Sequence, residues 1–387
     1  MNILYLSAMF DDEILDVYYD KGKTPNYAAN KYHQLLSLGL AENGISVNAY
    51  ATLPISRANS SKKIVRWRKT TDGKLTKQYI SCINFPGVKH FMLASKAFFK
   101  TLFSAKNTVV IYDVLVISSS FGALLASKLR GMKSVGIVTD LPMYVNSSPK
   151  CNRINHRLIS MADGYVFLTK QMNEVINPQG KPYVVLEGHA DVRMSDVTRP
   201  RPKAGKRVVM YAGALYRKYG VANLVESFLK IAKENEELHL YGNGGYAAEL
   251  REITKLHPQV IYHGCFPNQQ VVQAELTATL LVNPRTSEGE YTKYSFPSKT
   301  MEYMVSGTPV LCAKLPGFPD EYDEYLYYFD DAQEDGLAVA LRQALDRDSR
   351  ELEAFGQKAR SFVLAEKNHV AQAGRIIQFI KNSWSIS

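Results

Sequence analysis

Residues 284–312 read PRTSEGEYTKYSFPSKTMEYMVSGTPVLC. The apolar run TATLLVNP leads into them and reads as a buried strand. A polar loop follows and ends at Pro297. A short helix then sets Met301, Met304 and Val305 on one face at helical spacing. Gly307 closes the helix, Pro309 follows, and TPVLCA reads as the next buried strand. Strand, short helix, strand with tight joints is one crossover of a parallel sheet. Ser295, Ser298, Lys299 and Glu302 share the start and one polar face of that helix. A helix start offers free N–H groups to an anion, and Lys299 adds positive charge. Glu302, one turn in, can accept hydrogen bonds from two hydroxyls. An anion site beside a diol site suits a nucleotide sugar.

The same alternation runs outward on both sides. KRVVMYAGA, LHLYG, QVIYHG and TLLVNP read as strands, with YGVANLVESFLKIAKEN, GYAAELREITKL and NQQVVQAEL as helices between them. Each strand ends in a loop where doubly wound sheets take ligands. The first loop, after Ala212, carries Gly213, Arg217 and Lys218, a glycine for close backbone approach and two cations for a diphosphate. The second carries Gly242 and Gly244, and the third carries Phe266, an aromatic wall for a base. An ordinary solvent turn with surface charges reads equally well at the first loop taken alone. His239 and His263 lie within strands and read as packed histidines.

The amino-terminal half opens with strand NILYLS, a helix over 27–42 stopped by Asn43-Gly44, and strand ISVNAYA. It continues with TVVIYDVLVIS, helix FGALLASKLRG, strand SVGIVTD, loop LPMYVNSSPKCN, helix NRINHRLISMA, and strands GYVFLT and YVVLEG around helix KQMNEVI. Asp140 ends SVGIVTD on the carboxyl rim, placed either to act on an acceptor hydroxyl or to cap its own turn. Nothing in the spacing singles out His33 or His189. After Ala190 the apolar pattern lapses. The expected division is a first domain over 1–198, a linker over 199–206, a second domain over 207–365, and a terminal helix over 366–387 that crosses back to the first. The fold class is α/β, with two doubly wound Rossmann-like domains facing each other across a cleft.

Charge is local. Between Ser60 and Lys106 there are eleven Lys and Arg against the single acid Asp72, a surplus equal to the +10 of the whole 387-residue chain. VKHFMLASKAFFKTLFSAK, within it, reads as an amphipathic helix with Phe91, Phe98, Phe99 and Leu102 near one stripe. Either that helix packs on the sheet with a solvated lysine face, or it meets an anionic membrane surface or acceptor. No nucleic-acid motif accompanies the charge, so no nucleic acid is expected. The four cysteines form no CxxC pair, which points to a reducing cytoplasm and away from disulfides or zinc. The start MNILYLSAMFDDE lacks the basic and apolar regions of a secretory signal, and no run is long enough to span a bilayer. The expected place is the cytoplasm, peripheral on the inner face of the membrane. No DxD triplet is set to hold a metal, so neither metal nor cofactor is expected.

YAGALYRKYGVANLVESF, LYGNGG, YHGCFP and above all YTKYSFPSKTMEYMVSGTPVL resemble retaining glycosyltransferases of family 4, which have the GT-B fold; VTDLP and ADGYVFLT extend the resemblance into the first half. The nearest pattern is that of enzymes of capsule and exopolysaccharide assembly. The resemblance implies transfer of a hexosyl unit from a nucleoside-diphosphate donor, uridine by family habit, to a lipid-linked or saccharide acceptor with retention of configuration. It implies that Glu302 holds the donor ribose, that backbone around Phe296, Pro297 and Ser298 meets the sugar and distal phosphate, and that Gly213 belongs to the first phosphate loop. Tyr294 stands at the family's first glutamate, Ala214 at its arginine and Tyr219 at its lysine, so Lys218 or Arg217 takes the cationic part, with Lys299 added. Asp140 stands where many members carry a histidine. Asp140 and Lys218 are thus the expected catalytic pair. A nucleotide-sugar 2-epimerase of the same fold and a non-catalytic assembly protein are the alternative readings.

Overall fold

The computed structural model describes residues 1–20, 22–23, 25–145, 148–197 and 205–386. It divides into two compact units, residues 1–189 with 368–387, and residues 190–367. The boundaries thus lie at 189/190 and 367/368. The expected linker falls mostly on 198–204, outside the described residues.

The first unit contains β1 (Asn2–Ala8), β2 (Ser46–Thr52), β3 (Ile64–Val65), β4 (Arg68–Asp72), β5 (Leu75–Tyr79), β6 (Cys82–Ile83), β7 (Thr108–Asp113), β8 (Ser134–Val138), β9 (Gly164–Phe167) and β10 (Tyr183–Val185). Its main sheet runs β10-β9-β8-β7-β1-β2-β5-β4, and β3 pairs β6 apart from it. Every pairing in the main sheet is parallel except that of the edge hairpin β4–β5. Central strands such as β7 and β8 are buried along their whole length, as a sheet covered on both faces requires. The expected long strand TVVIYDVLVIS stops at Asp113, whose carboxylate accepts the Leu115 N–H at 2.9 Å and turns the chain. The following helix starts early, at Ile117.

Helix Val88–Leu102 does not pack by its phenylalanine stripe, as the first of its two expected arrangements requires. Its buried residues are Leu93, Ala97 and Thr101, not the phenylalanines. A Cβ on Gly122 would lie 1.9 Å from the Ala94 carbonyl oxygen, so this helix and Ile117–Leu129 meet backbone to backbone. That close seam turns Phe91 (73% exposed), Phe99 (54%) and Phe103 (81%) to solvent.

The second unit contains β11 (Arg207–Ala212), β12 (Glu236–Tyr241), β13 (Val260–Gly264), β14 (Leu280–Asn283), β15 (Val310–Ala313) and β16 (Tyr327–Phe329), ordered β13-β12-β11-β14-β15-β16. All of its pairings are parallel. The order reverses between β11 and β14, which is the switch point where such sheets open a ligand crevice. Both units are therefore doubly wound, as the sequence predicts. Helix Ser298–Ser306 buries Met301, Tyr303, Met304 and Val305 and ends at Gly307 in the left-handed region, φ 75°.

Candidate functional site

β11 and β14 pair only at Val209–Leu280 and Met210–Leu281, then part. Gly213 donates its N–H to the Tyr241 carbonyl at 3.0 Å, on the β12 side. Strand alternation therefore turns the peptide groups of Ala212 toward the opening. Tyr303, fully buried in helix Ser298–Ser306, fills the gap with its phenol. The hydroxyl accepts the Ala212 N–H at 2.8 Å and donates to the Ala212 carbonyl at 3.1 Å. One side chain thus does the work of the missing strand and ties the helix to the root of the Gly213 loop.

The four carboxyl-end loops are stitched together by backbone. Leu215 N–H donates to the Asn243 carbonyl at 2.9 Å, and Gly242 N–H to the Gly264 carbonyl at 2.8 Å. Gly242 has φ 126°, and a Cβ there would stand 1.8 Å from the Gly213 oxygen. Gly220, φ 78°, lies under the Pro284 carbonyl, 1.9 Å from where a Cβ would sit. Only glycine satisfies both conformation and space at these two points. Gly244 presses its Cα side against Leu215, and its N–H takes the Asn243 side chain at 2.9 Å. The result is a rim of bare backbone at the switch point.

The predicted side chains fall into two groups on this rim. Lys299 and Glu302 face each other at 3.2 Å, both half-buried. Ser298 is exposed at the helix start, where no side chain caps the first turn after Pro297. The Phe296 ring is an anchor, packed on Phe318 at 4.8 Å and Tyr322 at 5.3 Å, which fixes the backbone of 295–298. Tyr294 is half-buried beside it. Ser295 Oγ is buried with no hydrogen-bond partner. At the first loop, Arg217 is held by both oxygens of Glu249, at 2.6 and 2.7 Å, and lies over the Tyr246 ring. Lys218 is exposed above the rings of Tyr216 and Tyr219. Phe266, 46% exposed, stands edge-on to Tyr241, which stacks on His263 at 4.2 Å. His263 in turn meets His239 at 3.2 Å, so both histidines are packed and partnered.

In the first unit Asp140 is exposed just past β8, on the carboxyl rim. The switch point there, between β1 and β7, holds groups that sequence reading did not single out. The Tyr5 hydroxyl and His33 Nδ1 share a hydrogen bond at 2.8 Å, and Nε2 stands 3.1 Å from Asp113, off hydrogen-bond alignment. All three are buried and pinned, an internal polar cluster rather than an open site. His189 bonds the Tyr32 carbonyl at 2.8 Å, and burial pushes its pKa down to about 3, so it is neutral. Arg285, just past β14, was also missed, because an arginine after a strand-end proline has no distinguishing spacing. Its Nε is buried without a hydrogen bond, and its guanidinium lies 5.0 Å over Tyr291. At the opposite, amino-end edge of the sheet, a cavity of about 620 Å³ is lined by Lys96, Phe99, Lys100 and Phe103 with the starts of β1, β2 and β7.

Residues 206–347, which include all four loops, match the profile of the family described as Glycosyl transferases group 1. That stretch is similar to a glycosyl transferase domain. It makes the chain a transferase, and the whole fold is that of solved GT-B glycosyltransferases. Sucrose-phosphate synthase from Thermosynechococcus elongatus superimposes with a TM-score of 0.69 at 15% identity, covering 100% of each chain. Anabaena HepE in complex with UDP gives 0.65 at 13% identity, covering 99% of this chain and 100% of its own. The lipopolysaccharide outer core galactosyltransferase WaaB gives 0.63 at 15% identity, covering 99% of both. No curated protein matches in sequence. Among the described residues, no helix is long and apolar enough to cross a membrane.

Proposed function

We propose that the chain moves a hexosyl unit from a nucleoside-diphosphate sugar to a lipid-linked or saccharide acceptor in cell-surface polysaccharide assembly, with retention of configuration, as a family 4 enzyme. The observation that carries the reading is the glycine-built rim at the second unit's switch point, inside the span that matches the transferase profile. Glu302 takes the ribose hydroxyls. Gly213 and the amides near Ser298 take the diphosphate, with Lys218 and Lys299 supplying positive charge, and Phe266 walls the base. Those fixed charges stabilise the leaving diphosphate as the glycosidic bond breaks, with no metal assigned a part. Asp140 serves the acceptor side. Solved relatives of the fold carry UDP and UDP-glucose, which supports uridine as the base.

The same proposal makes the protein peripheral on the cytoplasmic face of a membrane. Exposed Phe91, Phe99 and Phe103, with Lys62, Lys63, Arg66, Lys69, Lys100 and Lys106 in the same basic segment, support it.

Incubation with a panel of nucleotide sugars and a polyprenyl-diphosphate-linked sugar tests the reading. Labelled product on the lipid is the expected result. An altered free donor without acceptor would instead mean epimerisation, and donor binding without turnover a non-catalytic assembly role.

A further inference from the structure

The cations on the second unit's rim differ in how they are engaged. Arg217 is taken by Glu249, Lys299 faces Glu302, and Lys218 is solvated. Arg285 is half-buried, and among the described residues its guanidinium has neither a hydrogen bond nor an ion pair; its one partner is the face of Tyr291. Shielding a guanidinium from water is costly unless its N–H groups find acceptors.

Its place on the chain is informative. It follows Pro284, the residue whose carbonyl closes on Gly220 at the end of the Gly213 loop. Tyr211, at the end of β11, registers its charge: burial pushes that phenol up, Tyr219 adds to the shift, and Arg285 opposes it. The Tyr211 hydroxyl donates to the Ala214 carbonyl at 3.0 Å, inside the same loop. At the far end of the Arg285 loop, Ser295 Oγ is a second buried polar atom without a partner.

We infer that Arg285 is the principal cation for the donor's diphosphate, gripping its oxygens with the planar fork that Lys218 and Lys299 lack. The inference rests on the donor reading above and adds a residue to it. A guanidinium matches phosphate oxygens two at a time, which an ammonium does not. Tyr291 sets the plane of the fork from one side.

The test is calorimetric titration of UDP, GDP and ADP, and of uridine, guanosine and adenosine, into the full chain and into Arg285→Gln, Arg285→Lys and Glu302→Ala. For the diphosphate that the unaltered protein binds, Arg285→Gln should weaken affinity about 10- to 100-fold while leaving the matching nucleoside unchanged. Arg285→Lys keeps the charge over Tyr291 and should lose part of that affinity, again for the diphosphate only. It gives the answer if Arg285→Gln does not fold. Glu302→Ala should weaken diphosphate and nucleoside alike. Diphosphate affinity within twofold of the original in the Arg285 variants overturns the inference while leaving the donor reading intact. Equal loss for nucleoside and diphosphate marks a merely structural arginine and overturns it too. Failure of the unaltered protein to bind any of the three diphosphates overturns the donor reading and the inference together.

Discussion

Glu302 sits one turn into helix Ser298–Ser306 with the Lys299 ammonium 3.2 Å away, which holds its carboxylate in place before any ligand arrives. Hydrogen bonds to a charged acceptor contribute about 1.5–3 kcal/mol each. Glu302→Ala should therefore cost at least about tenfold in nucleotide affinity, and a titration that returns the original affinity would remove the residue from the site. This residue was legible in the sequence because its helix announces itself through Pro297, Gly307 and the methionine face. Arg285 was not. Its significance depends on Gly220 meeting Pro284 across the sheet, a contact that no local spacing encodes. His189 is a third case. Burial depresses its pKa to about 3 from 6.5, so between those values the unfolded chain binds a proton that the folded chain refuses. Stability from this group is complete above about pH 6.5 and falls by about 1.4 kcal/mol per unit as pH drops. His33, His369 and Lys31 reinforce the shift. Both tryptophans, Trp67 and Trp384, lie in the same unit as His189. Their fluorescence should show the urea midpoint falling between pH 6.5 and 5 more steeply in the original protein than in His189→Gln; parallel curves would contradict the assignment.

At the scale of elements, the β11–β14 opening depends on one phenol. Tyr303→Phe leaves the Ala212 N–H and carbonyl without partners in a closed core. Urea unfolding followed by far-UV circular dichroism should register a loss of about 1–3 kcal/mol. A variant as stable as the original would show that Ala212 finds another partner. Helix Val88–Leu102 makes a second case. Its phenylalanine stripe fits either a core or a membrane surface in sequence, and the tightest contact goes through small residues, because Gly122 and Ala94 let two backbones touch. Phe91 and Phe99 are left outside, while Lys96 turns in to donate to the Ser81 carbonyl at 2.8 Å. Sedimentation with anionic vesicles should capture the protein. Changing Lys62, Lys63, Lys69 and Lys106 to glutamate, with Phe91 and Phe103 to serine, should abolish capture; unchanged capture would sink the membrane reading. The edge hairpin β4–β5 escaped sequence reading for a related reason. All five residues of β4 are exposed, so no apolar alternation marks it as a strand.

For the whole molecule, the repeated rhythm of apolar strands and amphipathic helices was enough to foresee two doubly wound sheets. Period and punctuation are local properties that a sequence carries openly. The exact bounds of the units are less open to reading, although the sequence expects the terminal helix to cross back; helix His369–Trp384 joins residues that are far from it in sequence. Gly39 admits the His369 carbonyl to within 2.2 Å of where a Cβ would stand. His369 Nε2 meets Glu42 at 2.9 Å, and Gln372 donates to the Gly188 carbonyl at 2.9 Å. The first unit is therefore made of two pieces with the entire second unit between them. On a ribosome adding about 5–20 residues per second, that interval lasts roughly 10–40 s. Throughout it, helix Tyr27–Glu42 waits with the Gly39 face uncovered, while the second unit, one unbroken stretch, can complete its sheet. The part of the chain that is synthesised first is the part that finishes folding last, and a nascent-chain chaperone would find its binding surface there.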